Sequence, residues 1–260
     1  LSNMPGNIGD RLIFAGTKRL LSLEGVVHQT CTIEDIQSNQ VSRHEGTLIV
    51  PGSGAMTKMY NEWLPSLIEF ASQVFGRVVI LGSEYEPSVP NVKAALSQSN
   101  VFAFARDADS YGKIKHFSNS GPGFDPALWS LDWEGAPGSR REAIPASRVL
   151  VSLRTDRLSI LEQEGFVPAV GNNDISSSCR DLEDFLGHIR QSEIVITDRL
   201  HVLVASVMLG KDVRYIDCGG NKLSAYERFT FRSNFDGQLQ MVTLGWLLDN
   251  GYVRETAGAA

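Results

Sequence analysis

The sequence predicts an α/β protein made of two tandem, doubly wound parallel-sheet domains facing each other across a cleft. Three observations predict it. Short runs rich in Val, Ile and Phe alternate with amphipathic stretches of helical length. The runs are apolar at consecutive positions, as strands covered on both faces require. The alternation lapses once, between Asn119 and Ala146, and then restarts.

In the first half, Val26–Cys31, Thr47–Pro51, Val78–Leu81 and Val101–Ala105 read as strands, with Arg11–Leu23, Thr57–Phe75 and Val92–Gln98 as the helices between them. From Asn119 the chain turns to Gly, Pro, Ser and Trp, including Ser120-Gly121-Pro122-Gly123 and Gly135-Ala136-Pro137-Gly138, which reads as a domain connection. The second half supplies strands at Val149–Leu153, Ile194–Thr197 and Val213–Asp217, and helices at Leu158–Glu164, Asp181–Arg190 and Leu200–Leu209; Leu239–Asp249 closes the pattern. The expected domains are therefore 1–140 and 147–260, each Rossmann-like, with ligands bound outside the carboxyl ends of their strands.

Composition narrows the function. A chain of 260 residues, 42% hydrophobic and 21% charged, can bury two real cores. With 24 Lys+Arg against 30 Asp+Glu, the net charge of -6 argues against a nucleic-acid partner held by bulk electrostatics, so any anion site must be local. Cys31, Cys179 and Cys218 stand singly, which suits a reducing compartment and suggests neither a disulfide framework nor a metal site. No apolar run approaches the roughly 18 residues of a membrane span, and a cytoplasmic location is expected. The first residue is Leu1 and not methionine, so an upstream segment is to be expected.

Chemistry concentrates in Ile194-Val195-Ile196-Thr197-Asp198-Arg199-Leu200-His201. A buried strand running straight into a helix puts Arg199 and His201 in the helix's first turn, beside unsatisfied backbone N–H groups. Asp198 is the expected N-cap and the alternative orienter of His201. Imidazole exchanges protons near neutral pH, which makes His201 the catalytic candidate together with Arg199. His28, His44, His116 and His188 read as structural or exposed. Arg154 follows the strand Val149–Leu153 and should emerge at the same sheet edge as Arg199, and Lys222 arrives there through the turn Cys218-Gly219-Gly220-Asn221. Arg154, Arg199 and Lys222 could thus hold a small anion carrying phosphate and carboxylate. At the other end of the chain, Pro5-Gly6-Asn7-Ile8-Gly9-Asp10 leads into a helix, its glycines serving positive φ or close backbone approach and Asp10 serving as N-cap. Asn7, Asp10 and Ser53, the last in the glycine turn Pro51-Gly52-Ser53-Gly54, are the candidates for an acceptor substrate. Trp63, Trp129, Trp133 and Trp246 read as core or interface residues, although indoles also stack on sugars.

These segments together resemble the bacterial polysaccharide pyruvyl transferases. The resemblance rests on Gly6-Asn7-Ile8-Gly9-Asp10, the turn Gly52–Gly54, Ala105-Arg106-Asp107 with Ser110-Tyr111, Asp125-Pro126-Ala127, Ser152-Leu153-Arg154, Thr197-Asp198-Arg199-Leu200-His201, and Asn221-Lys222-Leu223-Ser224 with Tyr226. It implies a two-domain fold similar to the GT-B glycosyltransferases and phosphoenolpyruvate as donor, with no cofactor and no metal. It also implies a sugar acceptor, often lipid-linked, docking on the N-terminal half, hence peripheral contact with the inner face of the membrane. By the same resemblance Arg199 and His201 match the family's essential Arg and His, and Arg154 a donor-binding Arg; Lys222 is included for its position and charge alone. Two features depart from the family: the strand that usually precedes the Gly-Asn-Ile-Gly-Asp turn is missing, and Pro51-Gly52-Ser53-Gly54 replaces a more glycine-rich run. A nucleotide-sugar GT-B glycosyltransferase, or a glycan-binding relative without catalysis, are the alternatives.

Overall fold

The structure is a computed structural model, which describes residues 6–38, 44–58, 63–132, 149–156, 159–169, 171–217, 222–231 and 238–255. The chain divides into two compact units, one comprising Ile13–Ser130 and the other Asn7–Leu12 with Leu131 onward. Sequence order alone assigns the first turn Asn7–Leu12 to the N-terminal half; in space it belongs to the second unit.

The first unit holds a four-stranded parallel sheet in the order β1 (His44–Val50), β2 (Phe75–Ser83), β3 (Val101–Ala105), β4 (Ser120–Pro122). Its helices are α1 (Ile8–Leu23, begun in the second unit), α2 (Ile33–Gln37), α3 (Trp63–Val74), α4 (Pro90–Leu96) and α5 (Ala108–Ile114). Val50, Val78, Ile80 and Ala105 from the strands pack with Leu64, Ile68, Val92 and Ile114 from the helices in one core. Parallel strands need crossovers, and α3, α4 and α5 provide them.

Three expectations fail in this unit. Val26–Cys31 is not a strand: no partner pairs with it among the described residues, and Val27 is 100% exposed. A β-branched run supplies strand propensity but not the neighbour that stabilises it. The helix expected over Thr57–Phe75 is α3 alone, because Phe75 already opens β2 and residues 59–62 lie outside the described set. The Ser120-Gly121-Pro122-Gly123 stretch is not mere connection, since Ser120–Pro122 is the edge strand β4 and Pro126–Trp129 a short 3-10 helix. Proline is tolerated at an edge, where its missing N–H removes no ladder bond. Gly135-Ala136-Pro137-Gly138 and Trp133 fall outside the described residues. The helix α2 went unpredicted, although Thr32 and Asp35 form a reciprocal cap, with Asp35 N–H on Thr32 Oγ1 at 3.1 Å and Thr32 N–H on Asp35 Oδ2 at 2.7 Å.

The second unit repeats the plan with β5 (Val149–Ser152), β7 (Ile194–Thr197), β8 (Asp212–Tyr215) and β9 (Leu239–Met241), all parallel and in that order. Its helices are α6 (Ile160–Gln163), α7 (Ile175–Ser178), α8 (Leu182–Arg190), α9 (Leu200–Met208), α10 (Lys222–Thr230) and α11 (Leu244–Asp249). A separate antiparallel pair joins β6 (Phe166–Pro168) to β10 (Val253–Glu255). The closing stretch Leu239–Asp249 is thus β9 followed by α11. In both sheets spatial order follows sequence order, so among the described strands neither shows the reversal that defines a doubly wound sheet. The helix α9 packs on β7 and β8, and all of its residues are buried. A helix this apolar, with only His201 and Ser206 polar, belongs inside a protein. Among the described residues no helix is long and apolar enough to cross a membrane.

Candidate active site

The carboxyl edge of the second sheet is laced by side chains. Thr197 Oγ1 donates to the Ser152 carbonyl at 2.8 Å and accepts the Arg199 N–H at 3.0 Å, tying the ends of β5 and β7 together. Register pairs Ser152 with Thr197, so Arg154 and Arg199 do emerge at one edge, as parallel pairing requires. The expected cap is corrected. Asp198 does not cap α9; the position before the helix is Arg199, without a side-chain cap bond, and Asp198 Oδ1 accepts the backbone N–H of Arg154 at 2.8 Å. Asp198 is therefore a clamp between two strand ends.

Arg199 is 5% exposed and fixed on two sides. Its Nε donates to Asp174 Oδ1 at 3.0 Å and its Nη2 to Asp174 Oδ2, while Nη1 lies 3.0 Å from Asp156 Oδ2. Burial disfavours the guanidinium charge, but Asp174, then Asp156 and Asp198, more than offset it and hold its pKa above the ordinary value. Asp174 is itself organised by Thr155 N–H at 3.2 Å and Ser177 Oγ at 3.2 Å, in a loop that follows Gly171, whose φ of 99° suits only glycine. Arg154 Nε lies 3.2 Å from Asp156 Oδ1, so one carboxylate, 40% exposed, bridges both arginines. Sequence reasoning missed Asp156 and Asp174; the polar run Gly171-Asn172-Asn173-Asp174 was the available signal. Lys222 opens α10 just beyond β8, where both oxygens of Asp217 accept the N–H groups of Leu223 at 2.9 Å and Ser224 at 3.1 Å. The turn 218–221 expected to deliver it, with Cys218, lies outside the described residues.

His201 is in the first turn of α9, 8% exposed. Its Nδ1 lies 3.4 Å from Asp10 Oδ1. The opposite oxygen of Asp10 accepts the Asn7 N–H at 2.9 Å. Since α1 starts at Ile8, Asp10 is its third residue and not the expected N-cap; it closes the turn back onto Asn7. Gly9 is needed for close approach and not for positive φ, because a Cβ there would stand 2.8 Å from His201 Cβ and 3.2 Å from its Nδ1. The two glycine-rich and Arg-His segments therefore meet within one unit.

The three acceptor candidates do not share a unit. Asn7 and Asp10 sit with His201, whereas Ser53 is buried in the first unit, where Ala55 N–H donates to its Oγ at 3.0 Å and its own N–H donates to Ser83 Oγ at 3.0 Å. Those bonds shape the loop after β1. Of the other histidines, His28, His116 and His188 are exposed. Trp246 stacks on Tyr252 at 5.7 Å between ring centres. Cys179, Asp184 and His188 bring one ligand-type atom each within 4.8 Å of the others. Burial and then the Asp184 charge push the Cys179 thiol up, and Asp184 already accepts the Arg180 N–H at 3.2 Å.

Each unit thus carries a parallel sheet of the α/β class, and the second bears Arg154, Arg199 and His201 at the carboxyl edge of its strands. The family model for polysaccharide pyruvyl transferases matches residues 7–220, and the chain belongs to that family. It is accordingly a transferase with a role in pyruvyl transfer in polysaccharide biosynthesis, acting on a polysaccharide acceptor. No curated protein matches the sequence. Among solved structures, the fold is similar to that of a functionally uncharacterised protein from Klebsiella pneumoniae, at a TM-score of 0.70 and 20% identity over 92% of this chain and 90% of that one.

Proposed function

We propose that the protein moves the enolpyruvyl group of phosphoenolpyruvate onto a sugar of an exopolysaccharide or cell-wall polymer precursor and closes it into a pyruvate ketal. The observation that carries this reading is the pairing of His201 with Asp10 at 3.4 Å, two residues along the chain from Arg199, which shares Asp156 with Arg154 at the sheet edge. In this reading the units divide the work as in GT-B enzymes, the second taking the donor and the first the acceptor, including a lipid-linked one at the cytoplasmic face of the membrane.

The methylene carbon of phosphoenolpyruvate takes a proton, its π pair forming the C–H bond and leaving an oxocarbenium-like carbon. A sugar hydroxyl attacks that carbon and loses its proton. The C–O bond to phosphate breaks, the phosphate leaving with the electron pair, and a second hydroxyl attacks the carbon and loses its proton; of the two hydroxyl protons, one replaces that given to the methylene carbon and the other goes to the departing phosphate, giving ketal and inorganic phosphate. His201 is the group that carries these protons, and Asp10 keeps the imidazole oriented while standing next to the reacting hydroxyl. Arg154, Arg199 and Lys222 hold phosphate and carboxylate, guanidinium forks being matched to planar anions. Asp156 must leave the arginines as the donor arrives.

The test is to incubate protein with phosphoenolpyruvate and candidate glycans, and to follow released phosphate together with the glycan's mass. Wild-type protein should give both products. His201→Ala should lower kcat by roughly a hundred- to ten-thousand-fold with donor affinity kept. Turnover near wild type in that variant would remove His201 from the mechanism.

A further inference from the structure

The first unit has a charged centre of its own, unused by the donor chemistry. Arg106, directly after β3, is 3% exposed; its Nη1 donates to Asp125 Oδ2 at 2.9 Å and its Nη2 to Glu84 Oε2 at 3.2 Å. Asp125 is fully buried and also accepts the Ala127 N–H at 3.0 Å, while Glu84, just past β2, keeps 26% of its side chain exposed. Backbone bonds fix the same loops: Glu84 N–H donates to the Ser53 carbonyl and Arg106 N–H to the Ser83 carbonyl, both at 3.0 Å. The loops are also stacked backbone on backbone. A Cβ on Gly52 would lie 2.1 Å from the Gly82 carbonyl oxygen, and one on Gly82 would lie 2.1 Å from that of Phe124. Phe124, which precedes Asp125, is 52% exposed.

Two carboxylates against one guanidinium leave this edge with a formal charge of minus one, so it disfavours a phosphate or carboxylate and favours an uncharged donor of hydrogen bonds. An ion triad buried this deeply seldom repays its desolvation in stability, and its gain lies in orienting the member that reaches solvent, Glu84. A carboxylate of fixed direction, on the loop whose Gly82 backbone stacks on that of an exposed Phe124, suits a pyranose, whose hydroxyls bind the first and whose C–H face covers the second. The carboxyl ends of parallel strands are also where α/β sheets bind ligands. We propose that Glu84, oriented by Arg106, and Phe124 form a binding subsite for an uncharged hexopyranose unit of the acceptor. The proposal rests on the assignment of the acceptor to the first unit and makes Glu84, in place of Ser53, its recognition group there.

Saturation-transfer NMR on the whole protein without phosphoenolpyruvate, with methyl β-galactopyranoside, methyl β-glucopyranoside and methyl α-mannopyranoside as probes, tests it. Wild-type protein should give transfer to at least one glycoside. Glu84→Gln should weaken that glycoside roughly tenfold or more, as loss of a charged acceptor implies. Phe124→Ala should weaken it several-fold and Phe124→Tyr should restore it. Arg106→Lys, which keeps the charge and loses the fork, should shift the same dissociation constant while circular dichroism shows the protein still folded and phosphoenolpyruvate affinity stays unchanged. Equal binding by wild type, Glu84→Gln and Phe124→Ala, or no transfer from any glycoside to folded wild type, would overturn the subsite. Loss of glycoside binding in Glu84→Gln alongside a wild type that makes no ketal would instead sink the pyruvyl reading and leave the sugar site standing.

Discussion

Asp156 offers the sharpest test of how the donor enters. Its carboxylate lies 3.2 Å from Arg154 Nε and 3.0 Å from Arg199 Nη1, in the position that an anionic ligand of the two arginines would take. Replacing it with Asn keeps the volume and removes the charge. Because Asp156 is 40% exposed, each pair is discounted to about 0.5 kcal/mol, so the two together oppose ligand entry by about 1 kcal/mol. Repulsion between the carboxylate and an arriving anion at ~4 Å adds about 1 kcal/mol even at the dielectric of bulk water. The sum of about 2 kcal/mol corresponds to roughly thirtyfold tighter binding of phosphoenolpyruvate by Asp156→Asn. Titration calorimetry at low ionic strength measures it, and the advantage should shrink as salt screens the repulsion. An unchanged or weaker dissociation constant would show that Asp156 does not compete with the donor, and would separate the arginine pair from the anion site.

Two further outcomes follow from the packing. Gly9→Ala places a methyl group 2.8 Å from His201 Cβ, so the α1 turn or α9 must shift; kcat should fall at least tenfold with the donor's dissociation constant nearly kept, as single-turnover kinetics would reveal. Asp174→Ala removes the two-pronged partner of the buried Arg199 guanidinium and leaves it Asp156 and Asp198, and chemical denaturation should record a loss of about 3 kcal/mol or more.

How much of this was legible in the sequence depends on the range of the interaction. The strand Ile194–Thr197 and the helix after it were visible because apolar continuity and a sharp polar break are local signals. That Arg154 and Arg199 share an edge was also legible, since parallel strands of similar length end together. The acids that hold them were not: Asp174 reaches Arg199 from a loop 25 positions away in the chain, and no periodicity encodes that meeting. The same holds for Asp10 and His201, which stand 191 positions apart in the chain. For Gly9 the sequence left positive φ and close approach open, and only the structure decides for close approach and names His201 as the surface approached. Val26–Cys31 shows the converse, a run with strand composition and no strand beside it, and Ser120–Pro122 shows a strand hidden by residues that usually mark turns.

The burial of every residue of α9 restricts where turnover motions take place. Local opening draws on segments with few apolar contacts, and this helix has none of that character, so it is the fixed side of the contact between His201 and Asp10. In the proposed reaction the loop after β5 and the first turn of α1, and not the histidine's own helix, are then the place where rate-limiting rearrangement is to be sought.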